Sequence, residues 1–468
     1  MQQADLLIQN CCVVTMDASR RILCGAAVAV AGGRICAVGS QEELARQYEA
    51  ERVIDATNQI LFPGLINTHD HLFQMLVKGL GRDMDLMSWL DASVRPAICQ
   101  IGPEEIYLAA QVGLMEQIAS GVTTCLDYQY AHGKEGLDQA VLDAMDQVGI
   151  RGILARGFAR TASFPAHCRC EVHDTEEAMF EQVQALHAKY QAHPRLSLQM
   201  APGIIWDFSE EAFRRMREIA DHTGMRITMH AVETTLDNQY CLEQHGKRVI
   251  PYLDSLGVLG PDFLAVHCVD MDEEDLRLFQ ERQVKVSYNP LSNMIMGYDV
   301  TPIVEMGRRG ITVSLALDGA GSNDNQNMFE VLKSTALLQK THHRRPEVMP
   351  AWQVLEMATL GGARAVGMED EIGSIEPGKR ADFFLFDPIH INSTPIADPV
   401  AALVYTGCEH NVSLTVVEGR VIYEKDSYPG IDTRSTLLEL QKAGARVRQA
   451  AGLGNTVWGQ FVSFGAFQ

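Results

Sequence analysis

Apolar and polar positions change rhythm along the chain. Over residues 1–60 the apolar runs are short and broken by turn residues. They are Leu6-Leu7-Ile8, Cys12-Val13-Val14 and Ala27-Val28-Ala29-Val30, then Ile35-Cys36-Ala37-Val38 after the hairpin-like turn Ala31-Gly32-Gly33-Arg34. A helical period of useful length first appears over 41–50, so this part predicts a small all-β unit. Beyond it, strand-length apolar runs at 60–67, 122–126, 152–158, 196–200, 226–229, 263–266, 284–288 and 311–317 alternate with amphipathic segments such as 103–118, 177–192, 210–222 and 328–340. Strands apolar on both faces, each followed by a helix, predict a parallel sheet. Eight such units over about 260 residues fit an α/β fold of the (β/α)8 TIM-barrel type. A doubly wound sheet is the alternative, but no Gly-x-Gly-x-x-Gly follows the first strand. After residue 370 β character returns at 381–386 and 412–423, broken at Glu418-Gly419. Chain ends often lie close together, so these runs are expected to complete a small β-sandwich domain from both ends. The expected division is 1–60, a barrel over 61–370, and 371–468 with a terminal helix near 435–451 and a tail.

Composition narrows the classes. The 468 residues include 39 Lys+Arg and 60 Asp+Glu, a net charge of −21, with 46% apolar and 21% charged residues. That apolar content excludes a disordered chain, and the acidity argues against a nucleic-acid binder, which needs a basic face. The start Met1-Gln2-Gln3-Ala4-Asp5 lacks the basic-then-apolar pattern of a signal peptide, and no apolar run is long enough for a membrane span. Eleven cysteines, an odd number, fit free thiols in a reducing cytoplasm. His167-Cys168-Arg169-Cys170 reads as a loop, because no second cysteine pair completes a four-ligand site. The aromatic tail, with Trp458, Phe461, Phe464 and Phe467, needs burial either on its own barrel or on a neighbouring subunit, and a homo-oligomer is expected.

Candidate chemistry lies at strand ends. His69 and His71 stand two apart where the first barrel strand finishes, so they share a side. His230 ends the fifth strand with Glu233 three residues on, His267 ends the sixth, and Asp318 follows the eighth. Barrel active sites lie at that end of the strands. One such residue alone is a helix cap or a satisfied core histidine, whereas four strand ends offering His-x-His, His, His and Asp point to one metal site. The fourth strand has no lysine to bridge a second ion, so one metal is expected. Three imidazoles and a carboxylate suit Zn2+, with Fe2+ and Mn2+ as alternatives. A metal with an open position lowers the pKa of bound water to about 7. Asp318 would bind metal and accept the water proton, His267 would orient the hydroxide or serve as a fifth ligand, and Glu233 would shuttle protons to the electrophile. Hydroxide attack on a C–N carbon with a protonated ring nitrogen expels ammonia.

These residues sit in recognisable text: Phe62-Pro63-Gly64-Leu65-Ile66-Asn67-Thr68-His69-Asp70-His71, Ser120-Gly121-Val122-Thr123-Thr124, Asp318-Gly319-Ala320-Gly321-Ser322-Asn323-Asp324, and Ile372-Gly373-Ser374-Ile375-Glu376-Pro377-Gly378-Lys379-Arg380-Ala381-Asp382. The chain resembles the amidohydrolase superfamily, in the branch of cytosine and guanine deaminases and the triazine hydrolases. The resemblance implies His69, His71, His230 and Asp318 as metal ligands, with Glu233 and His267 as acid/base and orienting groups. It also implies Gln74 and Trp89 as substrate-facing, Trp89 stacking on a flat ring. Relatives acting on S-adenosylhomocysteine or methylthioadenosine place a histidine just after the fourth strand, and Ala201-Pro202-Gly203-Ile204-Ile205 has none. Triazine enzymes often carry an amide or carboxylate after the metal aspartate, where this chain has Gly319. Ser322 and Asn323 are expected as substrate contacts close to the deaminating members. Arg156 and Arg160 are candidates to pin an anionic or carbonyl-rich substrate.

The expected function is a cytoplasmic, metal-dependent aminohydrolase. It would remove an exocyclic amino group from a purine, pterin, pyrimidine or triazine, with water as the second substrate and no nucleic acid or membrane partner. Release of chloride or alkylamine, and opening of a cyclic amide, are the enzymatic alternatives; a non-catalytic scaffold on the same fold is the alternative from another class.

Overall fold

The computed structural model describes residues 1–80, 82–160, 164 and 174–453. The Cys168/Cys170 loop and the aromatic tail therefore lie outside the described residues. The chain forms two eight-stranded sheets. One is parallel and runs in chain order through β6 (Leu65–Asp70), β7 (Val122–Gln129), β8 (Arg151–Arg156), β9 (Leu196–Met200), β10 (Ile227–Ala231), β11 (Phe263–His267), β12 (Lys285–Tyr288) and β13 (Val313–Leu315). Every strand in it is followed by helix, the short β13 by the helices Ala320–Asn323 and Met328–His343, as the alternating pattern predicts. The barrel closes between its first and last strands through side chain and backbone. Leu317 N–H donates to Asn67 Oδ1 at 3.0 Å, and Asp318 N–H donates to the His69 carbonyl at 3.1 Å. Closure thus seats Asp318 beside His69.

The other sheet uses both chain ends. β1 (Gln2–Val14), β2 (Ile22–Ala31), β3 (Arg34–Ser40), β4 (Tyr48–Asp55) and β5 (Ile60–Pro63) join β14 (Phe383–Phe386), β15 (Val412–Val417) and β16 (Arg420–Glu424). Its order is β16-β15-β14-β5-β1-β2-β3, and it branches at β1, which also pairs with β4. The helix expected over 41–50 stops at Gln47, because Tyr48 begins a strand whose side chains pair in parallel with β1.

The run read as one barrel strand over 60–67 is two strands. β5 belongs to the terminal sheet and β6 to the barrel, and the chain changes sheets at Gly64. There a Cβ would stand 1.9 Å from Thr123 Oγ1, so no side chain fits. Cys11, Cys12, Cys24, Cys36, Cys125, Cys241, Cys268 and Cys408 carry free thiols as expected. Cys99 departs from that expectation, being disulfide-bonded. Among the described residues no helix is long and apolar enough to cross a membrane.

Candidate active site

The strand ends converge as a parallel barrel requires. One ring nitrogen each of His69, His71 and His230 lies within 4.8 Å of the others. Asp318 Oδ1 is 3.5 Å from the Nε2 atoms of both His69 and His71, and His71 Nε2 is 3.2 Å from His230 Nε2. His71 Nδ1 donates to the Tyr128 carbonyl at 2.8 Å, which leaves its Nε2 lone pair facing the cluster. Both ring nitrogens of His69 are buried without a hydrogen-bond partner. Such orphaned polar nitrogens are costly unless something else bonds them.

The electrostatics favour a cation at this point. Burial and the neighbouring imidazoles push His71 down to about 3, and burial lowers His69 and His230 as well. All three are therefore neutral lone-pair donors at pH 7. Burial opposes charge on Asp318, but the His69 imidazole 3.5 Å away and the surrounding rings hold its carboxyl well below the usual range. Three neutral imidazoles and one carboxylate, buried and mutually convergent, fit a single divalent ion.

The loops after these strands carry strained backbone. Val232, His267 and Asp318 have φ of +47°, +69° and +60°. Such conformations cost of order 1–3 kcal/mol each and gather at functional sites; for β-branched Val232 the left-handed region is an outlier. Glu233 follows Val232 and is held by Asp237, whose Oδ2 accepts the Glu233 N–H at 2.7 Å. Burial raises the Glu233 carboxyl above its ordinary value. Tyr298 O–H donates to Glu233 Oε1 at 3.1 Å, while Oε2 faces His267 Nε2 at 3.8 Å. Asn293 Oδ1 lies 3.0 Å from His267 Nδ1, so that nitrogen donates and Nε2 stays free.

One pocket collects His71, His230, Glu233, His267 and Asp318 with Gln74, Trp89 and Ser322. Gln74 Oε1 accepts the Gly321 N–H at 3.2 Å, and its Nε2 donates to Tyr130 Oη at 3.2 Å. Asn323 is not brought to the pocket lining; its Nδ2 donates to the Leu317 carbonyl at 2.8 Å and ties the loop to the strand. Arg156 is not brought there either. Ile153 and Ala155 pack in the barrel interior, so period two turns Arg156 to the helix side. Its guanidinium pairs with Asp174 at 2.7 Å and Asp138 at 3.4 Å. Arg160 is a surface residue bonded to the Asp207 carbonyl and to Glu176. Sequence reasoning missed Arg95, Tyr130 and Asp207, which line the pocket, and Asn293 and Tyr298, which hold His267 and Glu233. The alternation of Tyr128 and Tyr130 across the end of β7 was the signal available for Tyr130.

Comparison with known proteins agrees with this geometry. Residues 60–422 match the Amidohydrolase family, and residues 26–48 match the Imidazolonepropionase-like composite domain of bacteria. The chain belongs to the amidohydrolase family. It is 35% identical over 439 residues to the 5-methylthioadenosine/S-adenosylhomocysteine deaminase of Nitratidesulfovibrio vulgaris, covering 94% of this chain and 96% of that one. An adenosine deaminase from Xanthomonas campestris, solved with zinc, superposes with a TM-score of 0.90 at 27% identity, covering 96% and 99% of the two chains. Atrazine chlorohydrolase from Arthrobacter aurescens, also solved with zinc, superposes at 0.85 with 24% identity over 94% and 100%. That last likeness is one of fold. The protein is a metal-dependent hydrolase acting on C–N bonds.

Proposed function

We propose that the protein is a zinc aminohydrolase that removes the exocyclic amino group of a nitrogen heterocycle, with an aminopurine nucleoside as the favoured class. The observation that carries the reaction is the convergence of His69, His71, His230 and Asp318 beside an acid/base pair, Glu233 and His267. The deaminase relatives, similar over nearly the whole chain, support the aminopurine class.

The three histidines and Asp318 would hold the ion, which supplies Lewis acidity and makes water a nucleophile near neutral pH. Asp318, kept charged, accepts the proton of the attacking water. Glu233, raised by burial, donates a proton to the ring nitrogen beside the reacting carbon and recovers one as the added hydroxyl becomes a carbonyl, while the proton held by Asp318 leaves on the amine. Tyr298 fixes one Glu233 oxygen, so the other carries the proton in a defined direction. His267, its tautomer set by Asn293, orients the water through Nε2. Trp89 gives the flat ring a stacking face.

The test is ammonia release by zinc-loaded protein from adenosine, 5′-methylthioadenosine, guanine, 8-oxoguanine, isocytosine, cytosine, pterins and melamine. Strong release from an aminopurine nucleoside is expected. Silence across the panel, with one ion bound per chain, would instead favour chloride or alkylamine leaving groups or cyclic amides.

A further inference from the structure

The pocket holds a buried carboxyl group that the reaction does not use. Asp207, in the loop after β9, lines it and is 6% exposed. Among the described residues its carboxylate accepts the Ile204 N–H on Oδ2 at 3.3 Å, and the Arg160 backbone N–H also acts on it. The Arg160 guanidinium bonds the Asp207 carbonyl and Glu176. A carboxylate accepts about four hydrogen bonds, so the described residues leave part of its capacity open. Gly203 lets it stand there: a Cβ at 203 would lie 2.5 Å from Asp207 Oδ2 and 2.4 Å from the Phe158 carbonyl oxygen. The surrounding wall is largely apolar, with Leu90, Val94 and Phe158. Trp89 lines the same cavity, and its Nε1–H is buried with no hydrogen-bond partner. The pocket thus presents an acceptor and a donor that its described residues leave open.

We propose that Asp207 is a specificity-determining residue that accepts the paired hydroxyl hydrogens of a ribose cis-diol, on the part of the substrate that is not hydrolysed. The proposal rests on the nucleoside reading above. A cis-diol presents two adjacent donors, which match the two oxygens of one carboxylate in a bidentate bond. Burial raises the Asp207 carboxyl to about 6, while the backbone N–H groups of Ile204 and Arg160 and the charges of Arg95 and Arg160 draw it back. It is therefore an ionised acceptor at neutral pH. Substrates with a carboxylate or phosphate at this position are repelled.

The experiment compares adenosine, 2′,3′-dideoxyadenosine and adenine on zinc-loaded wild type and Asp207→Asn, by calorimetric binding and by ammonia release. Asn keeps the size and the Ile204 bond but sets a donor against the diol. Wild type is expected to bind adenosine about 100-fold more tightly than the dideoxynucleoside, because a site built for hydroxyls penalises their absence. Asp207→Asn is expected to abolish most of that difference while changing dideoxyadenosine less than about threefold. Equal wild-type binding of adenosine and dideoxyadenosine overturns the proposal without any variant, as does tighter binding of adenine. Diol-dependent binding without ammonia release would keep the subsite and remove the deaminase reading. Ammonia release indifferent to the diol and to Asp207 would do the reverse.

Discussion

At the scale of the residue, the site is an arrangement of groups denied their ordinary partners. His69 has no hydrogen bond to either ring nitrogen, and the imidazoles around it are kept neutral by burial. Val232, His267 and Asp318 hold left-handed backbone that a free chain avoids. Only a surrounding barrel over-determines such conformations. Glu233 is the residue where the chemistry is most exposed to test. Glu233→Gln keeps the shape and the Tyr298 contact but carries no transferable proton. Zinc content and melting temperature are expected to stay near wild type, while kcat falls by roughly 10²–10⁴. Ammonia-release kinetics on the best substrate of the panel check this, and near-full turnover would remove Glu233 as the proton carrier.

At the scale of the element, β6 and β7 place two carboxyl groups side by side next to the proposed metal ligands. Asp70 and Asp127 are register partners, both buried. Asp70 accepts from Asn67 at 2.7 Å and Gln117 at 2.9 Å, and Asp127 accepts the Leu72 N–H at 2.8 Å. Burial raises Asp127 from 3.8 to about 7. The folded state therefore keeps a proton that the unfolded chain releases above about pH 4. The stabilisation is complete below that value and is lost as pH rises to about 7, at up to about 1.4 kcal/mol per pH unit. Asp127→Asn keeps the bond to Leu72 and removes the titration. Its melting temperature is expected to fall less than that of wild type between pH 5 and pH 8. Parallel curves would assign the dependence to another group.

At the scale of the whole molecule, the barrel and the terminal sheet share a buried ion pair. Arg151 at the start of β8 donates to Asp382 just before β14, from Nε at 2.7 Å and from the guanidinium arm at 3.1 Å. Both side chains are 2% exposed. Asp382 also accepts the Glu418 N–H at 2.7 Å, and its carbonyl accepts the Gly64 N–H where the chain passes between sheets. Removing one member of such a pair strands the other charge. Asp382→Ala is expected to cost about 3–5 kcal/mol, read from urea unfolding. Unchanged stability would show that water reaches Arg151 there.

Much of this was legible in the chain. Hydropathy alone marks eight strand runs and the helices between them, and strand-end position marks His69, His71, His230, His267, Asp318 and Glu233. Both signals are local: the period of two and the end of an apolar run are written in neighbouring residues. The split of residues 60–67 at Gly64 was hidden, because the reason is Thr123 on another strand. Arg156 was taken for a substrate contact, although its neighbours' alternation sends it to the helix side and Asp138 and Asp174 are what it meets. Asp207 carries no sequence signal; Gly203 and the Phe158 carbonyl decide where its carboxyl stands. The chain by itself determined the barrel, the attached β-unit and which histidines and carboxylates stand at the strand ends, since these follow from short-range periodicity. Which of the remaining polar groups face the substrate was decided only by the tertiary structure, since that depends on what fills the space across the pocket.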